Sequence, residues 1–248
     1  KCVMGPILSV CCLMISYAPA LAKTLERCKK NLMTPTSLTG PEHIPPRVTS
    51  AVIFLHGLGS NGDDLLGLAP YFEKELPNTA FLAPNAPHPV MMTYNGFQWF
   101  DLWDRSTMQI EQGVRAAAPL IVDLVSGTAR RFNIPPSKII LVGFSQGTMM
   151  ALHAGLRLID GLGGIVGFSG EMISPETMAE EKLQHMPPVL LVHGLADPIV
   201  PAMASSYAEN TIRAAGGEVR LVQRPFLVHS IDDTGIAEAV SFAKKILG

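Results

Sequence analysis

The run Ile139-Ile140-Leu141-Val142-Gly143-Phe144-Ser145-Gln146-Gly147 decides the architecture of this chain. Four aliphatic residues without polar alternation describe a strand covered on both faces, as in a parallel sheet packed between helices. A tight turn follows at once, and Thr148-Met149-Met150-Ala151-Leu152 then begins a helical pattern. Strand, sharp turn and helix around G-x-S-x-G form the setting of a nucleophile elbow. Glycine is needed at 143 and 147 because a Cβ at either place would strike neighbouring backbone. Ser145 is expected in a strained conformation that lifts its Oγ above the sheet, where the positive end of the helix dipole favours developing negative charge.

Outward from this run, apolar strands alternate with helical spacing over the rest of the chain. Strands are predicted at 51–55, 79–83, 138–143, 164–168, 189–193 and 219–223, and helices at 64–75, 107–132, 146–158, 175–183, 202–215 and 233–247. Alternation of this kind predicts an α/β fold with a mostly parallel central sheet and helices on both faces. Pro135-Pro136 and Pro187-Pro188 read as rigid entries to strands. Residues 84–106 are irregular, rich in Pro, Met, Phe and Trp, and long enough to wall a pocket.

At 248 residues, 48% hydrophobic and 16% charged, the chain can bury one large core. A net charge of -2 without a Lys/Arg cluster argues against nucleic acid as a partner. Cys2, Cys11, Cys12 and Cys28 all lie at the amino end, so the rest of the chain has no thiol for a disulfide frame or zinc site. Neither metal nor cofactor is expected. The first segment reads two ways. Lys1, the apolar residues 3–17 and Ala20-Leu21-Ala22 fit a leader with a signal-peptidase site, whereas Met33 opens a Pro/Thr-rich stretch of the kind that precedes a cytoplasmic domain. Residues 1–32 are expected to lie outside the fold and 33–248 to form the catalytic domain. The location is expected to be cytoplasmic, with export the alternative if residues 1–22 act as a signal peptide. The apolar run is too short for a stable membrane span, which needs about 20 residues.

A serine hydroxyl is a weak nucleophile, so a base must take its proton and a third group must orient that base. In α/β-hydrolases the order along the chain is Ser, acid, His. Asp197, in His193-Gly194-Leu195-Ala196-Asp197-Pro198 just past an apolar strand, is the candidate acid, although a turn residue before proline is its plainer role. His229, between the last strand and the last helix, is the candidate base. His43, His153 and His185 read as structural or solvated. His193 reads as support for the Asp197 loop, and His88 sits in the irregular segment. The oxyanion donors expected on this plan are the backbone N–H groups of Gln146, after the nucleophile, and of Leu58 in His56-Gly57-Leu58-Gly59. Asn61-Gly62-Asp63-Asp64 then caps a helix.

With these residues in place, the chain from about Met33 to Gly248 resembles the phospholipase/carboxylesterase family of α/β-hydrolases, which includes bacterial carboxylesterases and acyl-protein thioesterases. The resemblance rests on HGLGSNGDD at 56–64, APNAP at 83–87, WFD at 99–101, GFSQG at 143–147, FSG at 168–170, HGLADPIVP at 193–201 and HSIDDTG at 229–235. It implies a single-domain serine carboxylesterase acting on a small-molecule ester or acyl substrate through an acyl-enzyme on Ser145, with thioesters or lysophospholipids also open and a homodimer allowed. Trp99, Phe100, Trp103, Met91 and Met92 resemble acyl-pocket lining, with packing of a long loop as the equal alternative for each. Val228 stands where family members usually carry glycine. Two rivals remain: a non-catalytic binding protein on the same fold, which would typically have lost a triad member, and an acyltransferase, which transfer products would reveal.

Overall fold

The computed structural model describes residues 38–248 except 92, 104, 105, 180, 182 and 184; the expected leader at 1–32 lies outside the described residues. The elements in order are β1 (Glu42–His43), β2 (Ser50–Leu55), α1 (Gly62–Leu66), α2 (Ala69–Glu73), β3 (Thr79–Leu82), β4 (His88–Pro89), β5 (Phe97–Gln98), α3 (Thr107–Phe132), β6 (Ile139–Phe144), α4 (Gln146–Gly155), β7 (Gly164–Phe168), β8 (Val189–Gly194), α5 (Met203–Ala214), β9 (Val219–Arg224) and α6 (Asp233–Leu247). Seven strands form one sheet in the order β1-β3-β2-β6-β7-β8-β9, with only β1 antiparallel.

Because successive side chains on a strand point to opposite faces, each central run feeds two cores. Ile53, Leu55, Ile139, Leu141, Ile165 and Leu191 pack with residues of α3, α4 and α5, whereas Val52, Phe54, Ile140, Val142, Val166 and Val192 pack with residues of α1, α2 and α6. Both faces are therefore dry, which accounts for the continuous apolar runs of β2, β6 and β8.

Three helical expectations are corrected. The predicted helix at 64–75 is two short helices broken between Leu66 and Ala69, where Gly67 forms the C-cap of the first and Pro70 sits in the first turn of the second. Its cap is as expected: Asn61 Oδ1 accepts from the Asp64 N–H at 3.1 Å. The helix at 146–158 stops at Gly155. In the span 175–183 the described residues form a 3-10 turn at Pro175–Ala179 in place of an α-helix. The irregular segment 84–106 also contains the two-stranded pair β4·β5.

His153, on α4, is buried, with Arg115, Arg157, Glu111 and Glu181 as its charged neighbours, and its Nδ1 has no partner among the described residues. Burial foremost, then the two guanidinium groups, lower its pKa from 6.5 to about 4. Between those values the unfolded chain binds the proton and the folded chain does not, so stability is full above the higher value and falls with pH toward the lower. The expected loss is about 3 kcal/mol at full protonation. Melting curves of His153→Leu from pH 7 to 4 should show most of this acid slope removed; an unchanged slope would place the sensitivity elsewhere.

Candidate active site

The elbow is as strained as its sequence requires. Ser145 has φ 53° and ψ -116°, and its N–H is tied to Phe168 O of β7 at 2.9 Å. A Cβ on Gly147 would lie 1.8 Å from Leu55 O, and one on Gly143 would lie 2.5 Å from backbone of Gly147 and Thr148, so the turn closes only with glycine at both places. The end of β2 abuts the same point, since a Cβ on Gly57 would come 3.3 Å from Ser145 Cβ.

Two further loops meet at this rim of the sheet. After β8, Asp197 lies on a turn that presents its carboxylate inward with no exposed side-chain surface. Oδ1 accepts from the N–H groups of Ile199 (2.8 Å) and Val200 (3.0 Å), and Oδ2 accepts from His229 Nδ1 at 2.8 Å. Burial alone pushes this carboxyl up, but the bonds from His229, Val200 and Ile199 outweigh it and hold the pKa below its ordinary value. The loops are stapled together by Leu195 N–H to Arg224 O and Ala196 N–H to Leu227 O, and Gly194 passes so close to Leu227 that a Cβ would sit 2.1 Å from its carbonyl. His193, fully buried, supports the turn: Nε2 donates to Val200 O at 2.9 Å, leaving Nδ1 to accept from the Ser205 hydroxyl at 2.5 Å. The same Nε2 is 3.3 Å from Asp197 Oδ2, a longer contact than the Val200 bond.

His229 packs its ring on Phe144, the residue before Ser145, with centroids 4.9 Å apart. The structure thus brings His229 onto Asp197 and to the flank of the elbow. Among the described residues no hydrogen bond within 3.5 Å joins its imidazole to Ser145 Oγ. The N–H groups of Leu58 and Gln146 find no protein acceptor among the described residues, while Gly59 N–H between β2 and α1 is spent on Phe97 O.

The residues expected to line an acyl pocket separate. Trp99 (0% exposed) and Phe100 (3%) are buried in the core, in keeping with loop packing, the alternative held equal to acyl-pocket lining: the indole and backbone of Trp99 are spent on hydrogen bonds to His56 and Gln146. Trp103 (79%) and Met91 (100%) stand in solvent, and Met92 lies outside the described residues. The exposed apolar side chains flanking the site are instead Leu58, Leu195, Ile199 and Val228, each one or two residues from a group that frames it. The buried frame also contains His56, which sequence reasoning passed over. Its position at the end of a wholly apolar strand was the available signal, because a histidine there must be buried and bonded. Among the described residues no cluster of three or more His, Cys, Asp or Glu side chains is placed to hold a metal ion.

The profile of the family described as Phospholipase/Carboxylesterase matches residues 44–247. The chain belongs to that family. It is 30% identical over 213 residues to acyl-protein thioesterase 1 of Schizosaccharomyces pombe, covering 81% of this chain and 92% of that one. It is 31% identical over 220 residues to acyl-protein thioesterase 1 of Saccharomyces cerevisiae, covering 82% and 94%. Among solved structures, esterase PE8 superposes with a TM-score of 0.81 at 36% identity, over 86% of this chain and 100% of the other. Acyl-protein thioesterase 2 of Zea mays superposes with a TM-score of 0.67 at 25% identity, over 85% and 100%. The phospholipase/carboxylesterase assignment makes the protein a serine hydrolase of the α/β-hydrolase fold. No helix of the described residues is long and apolar enough to cross a membrane.

Proposed function

We propose that the protein hydrolyses acyl esters and acyl thioesters through a covalent intermediate on Ser145, with His229 as general base and Asp197 as its orienting acid. The observation that carries this reading is the 2.8 Å bond between His229 Nδ1 and the buried Asp197 carboxylate, beside a serine strained onto the top of the sheet. With Nδ1–H given to Asp197, the lone pair of Nε2 is free to accept the Ser145 proton. The hydroxyl and imidazole are expected to close to hydrogen-bond distance when substrate binds, as such pairs commonly do.

Ser145 Oγ then attacks the acyl carbon, and the amides of Leu58 and Gln146 hold the oxyanion. His229 returns the proton to the leaving alcohol or thiol, and water activated by the same imidazole releases the acid. The exposed apolar side chains of Leu58, Leu195, Ile199 and Val228 offer an acyl chain a surface on which to leave water. Similarity to acyl-protein thioesterases supports thioesters within the substrate range.

An organophosphonate that stops at the covalent stage should modify Ser145 stoichiometrically. Hydrolysis of a graded panel of acyl esters and thioesters should disappear in parallel. Retained turnover after complete modification, or modification at another residue, would overturn the assignment.

A further inference from the structure

Trp99 is out of reach of substrate, yet its hydrogen bonds enter both loops that carry the oxyanion amides. Nε1–H donates to His56 O at 2.8 Å, two residues before Leu58. The Trp99 main-chain N–H donates to Gln146 Oε1 at 3.0 Å, and Gln146 Nε2 returns to Phe100 O at 2.7 Å. One rigid residue therefore spans the gap between the two donors, and all of these bonds lie in the buried interior, where they are stronger than at the surface.

His56 completes the frame. Its Nε2 accepts from the Ala86 N–H at 2.9 Å, so the ring proton is on Nδ1, which donates to Gly57 O at 2.8 Å. Gly57 C=O and Leu58 N–H belong to one planar trans peptide and point in opposite directions. Locking that carbonyl onto the imidazole thus aims the Leu58 N–H the other way. The imidazole lies on the Trp99 indole with centroids 5.5 Å apart, so the two residues hold each other as well as the loop.

We propose that Trp99 and His56 are positioning residues that fix the direction of the Leu58 amide and its distance from the Gln146 amide, so that the pair matches the oxyanion of the transition state rather than the ground-state carbonyl. The inference rests on the catalytic roles proposed above for Ser145, Leu58 and Gln146. A donor displaced by a fraction of an ångström still permits substrate to bind and penalises only the charge that develops during reaction.

The test compares wild type with Trp99→Phe, which removes the indole donor but keeps an aromatic ring, and with His56→Phe, which removes the imidazole bonds and leaves the indole. Active sites are first counted by organophosphonate titration, so that misfolded protein drops out. Per titrated site, kcat should fall about 10- to 100-fold with KM within about threefold. Affinity for an alkyl trifluoromethyl ketone, which forms a tetrahedral adduct bearing the oxyanion, should fall by the same factor as kcat/KM, while binding of the straight-chain carboxylate product stays unchanged. A merely structural role would lower the number of titratable sites and leave per-site kcat and ketone affinity alone, and that result in either variant overturns the proposal. Failure of the wild type itself to titrate or turn over would instead strike the catalytic reading on which it stands.

Discussion

Ser145→Ala is expected to lower turnover of esters and thioesters by at least about 10⁴-fold, with the melting temperature almost unchanged. The two halves of this expectation come from different atoms. In the structure the side chain of Ser145 makes no hydrogen bond to the described residues, whereas its main chain is held on both sides: its N–H donates to Phe168 O, and its C=O accepts from the N–H groups of Thr148 and Met149. Alanine keeps those bonds and inherits the same backbone, so packing and strain barely change. The hydroxyl, by contrast, is the group proposed to form the intermediate. Without it the Leu58 and Gln146 amides, the proposed oxyanion donors, retain only what charge stabilisation supplies to attack by water. Pre-steady-state assays with an activated ester should lose the burst as well as the steady rate. A variant that kept its burst would locate the nucleophile elsewhere.

Asp197→Asn should cost about 10³- to 10⁴-fold in kcat, again with a modest effect on folding. Oδ1 accepts two backbone N–H groups, from Ile199 and Val200, so the asparagine oxygen will take that side and leave its NH₂ toward His229. The imidazole must then accept at Nδ1 and carry its proton on Nε2, where it cannot receive the serine proton. The same substitution removes the negative charge that stabilises the imidazolium. Nitrogen NMR of the labelled histidine ring should report the tautomer change directly; a ring still protonated at Nδ1 alongside full loss of activity would refute the mechanism offered for the loss.

Much of this was legible in the chain because chemistry and folding demanded the same residues. Gly143 and Gly147 announce the elbow since no other residue fits between β6, α4 and the end of β2, and the dry strands β2, β6 and β8 announce a sheet covered on both faces. Chain order singles out Asp197 and His229, and the fold joins their side chains by a 2.8 Å bond. What stayed hidden depends on contacts distant in sequence. Trp99 looks like pocket lining in an irregular segment, and only the approach of His56, 43 positions away, and of Gln146, 47 away, turns it inward. Trp103 and Met91, from the same stretch, find no such distant partners among the described residues and remain outside. Helix lengths differ from expectation where short apolar patterns run past a break that local spacing does not register, as at Gly67 and Gly155.

The order of the sheet gives the groups proposed to react unequal shelter. Ser145 grows from β6, flanked on both sides by parallel strands, whereas the loop bearing His229 leaves β9, which among the described residues closes one border of the sheet and has a neighbour on one side only. Border strands open first when a protein fluctuates toward partial unfolding. Opening at that border would carry the His229 loop with it while the elbow kept its neighbours on both sides, so activity is expected to be lost before the fold as a whole.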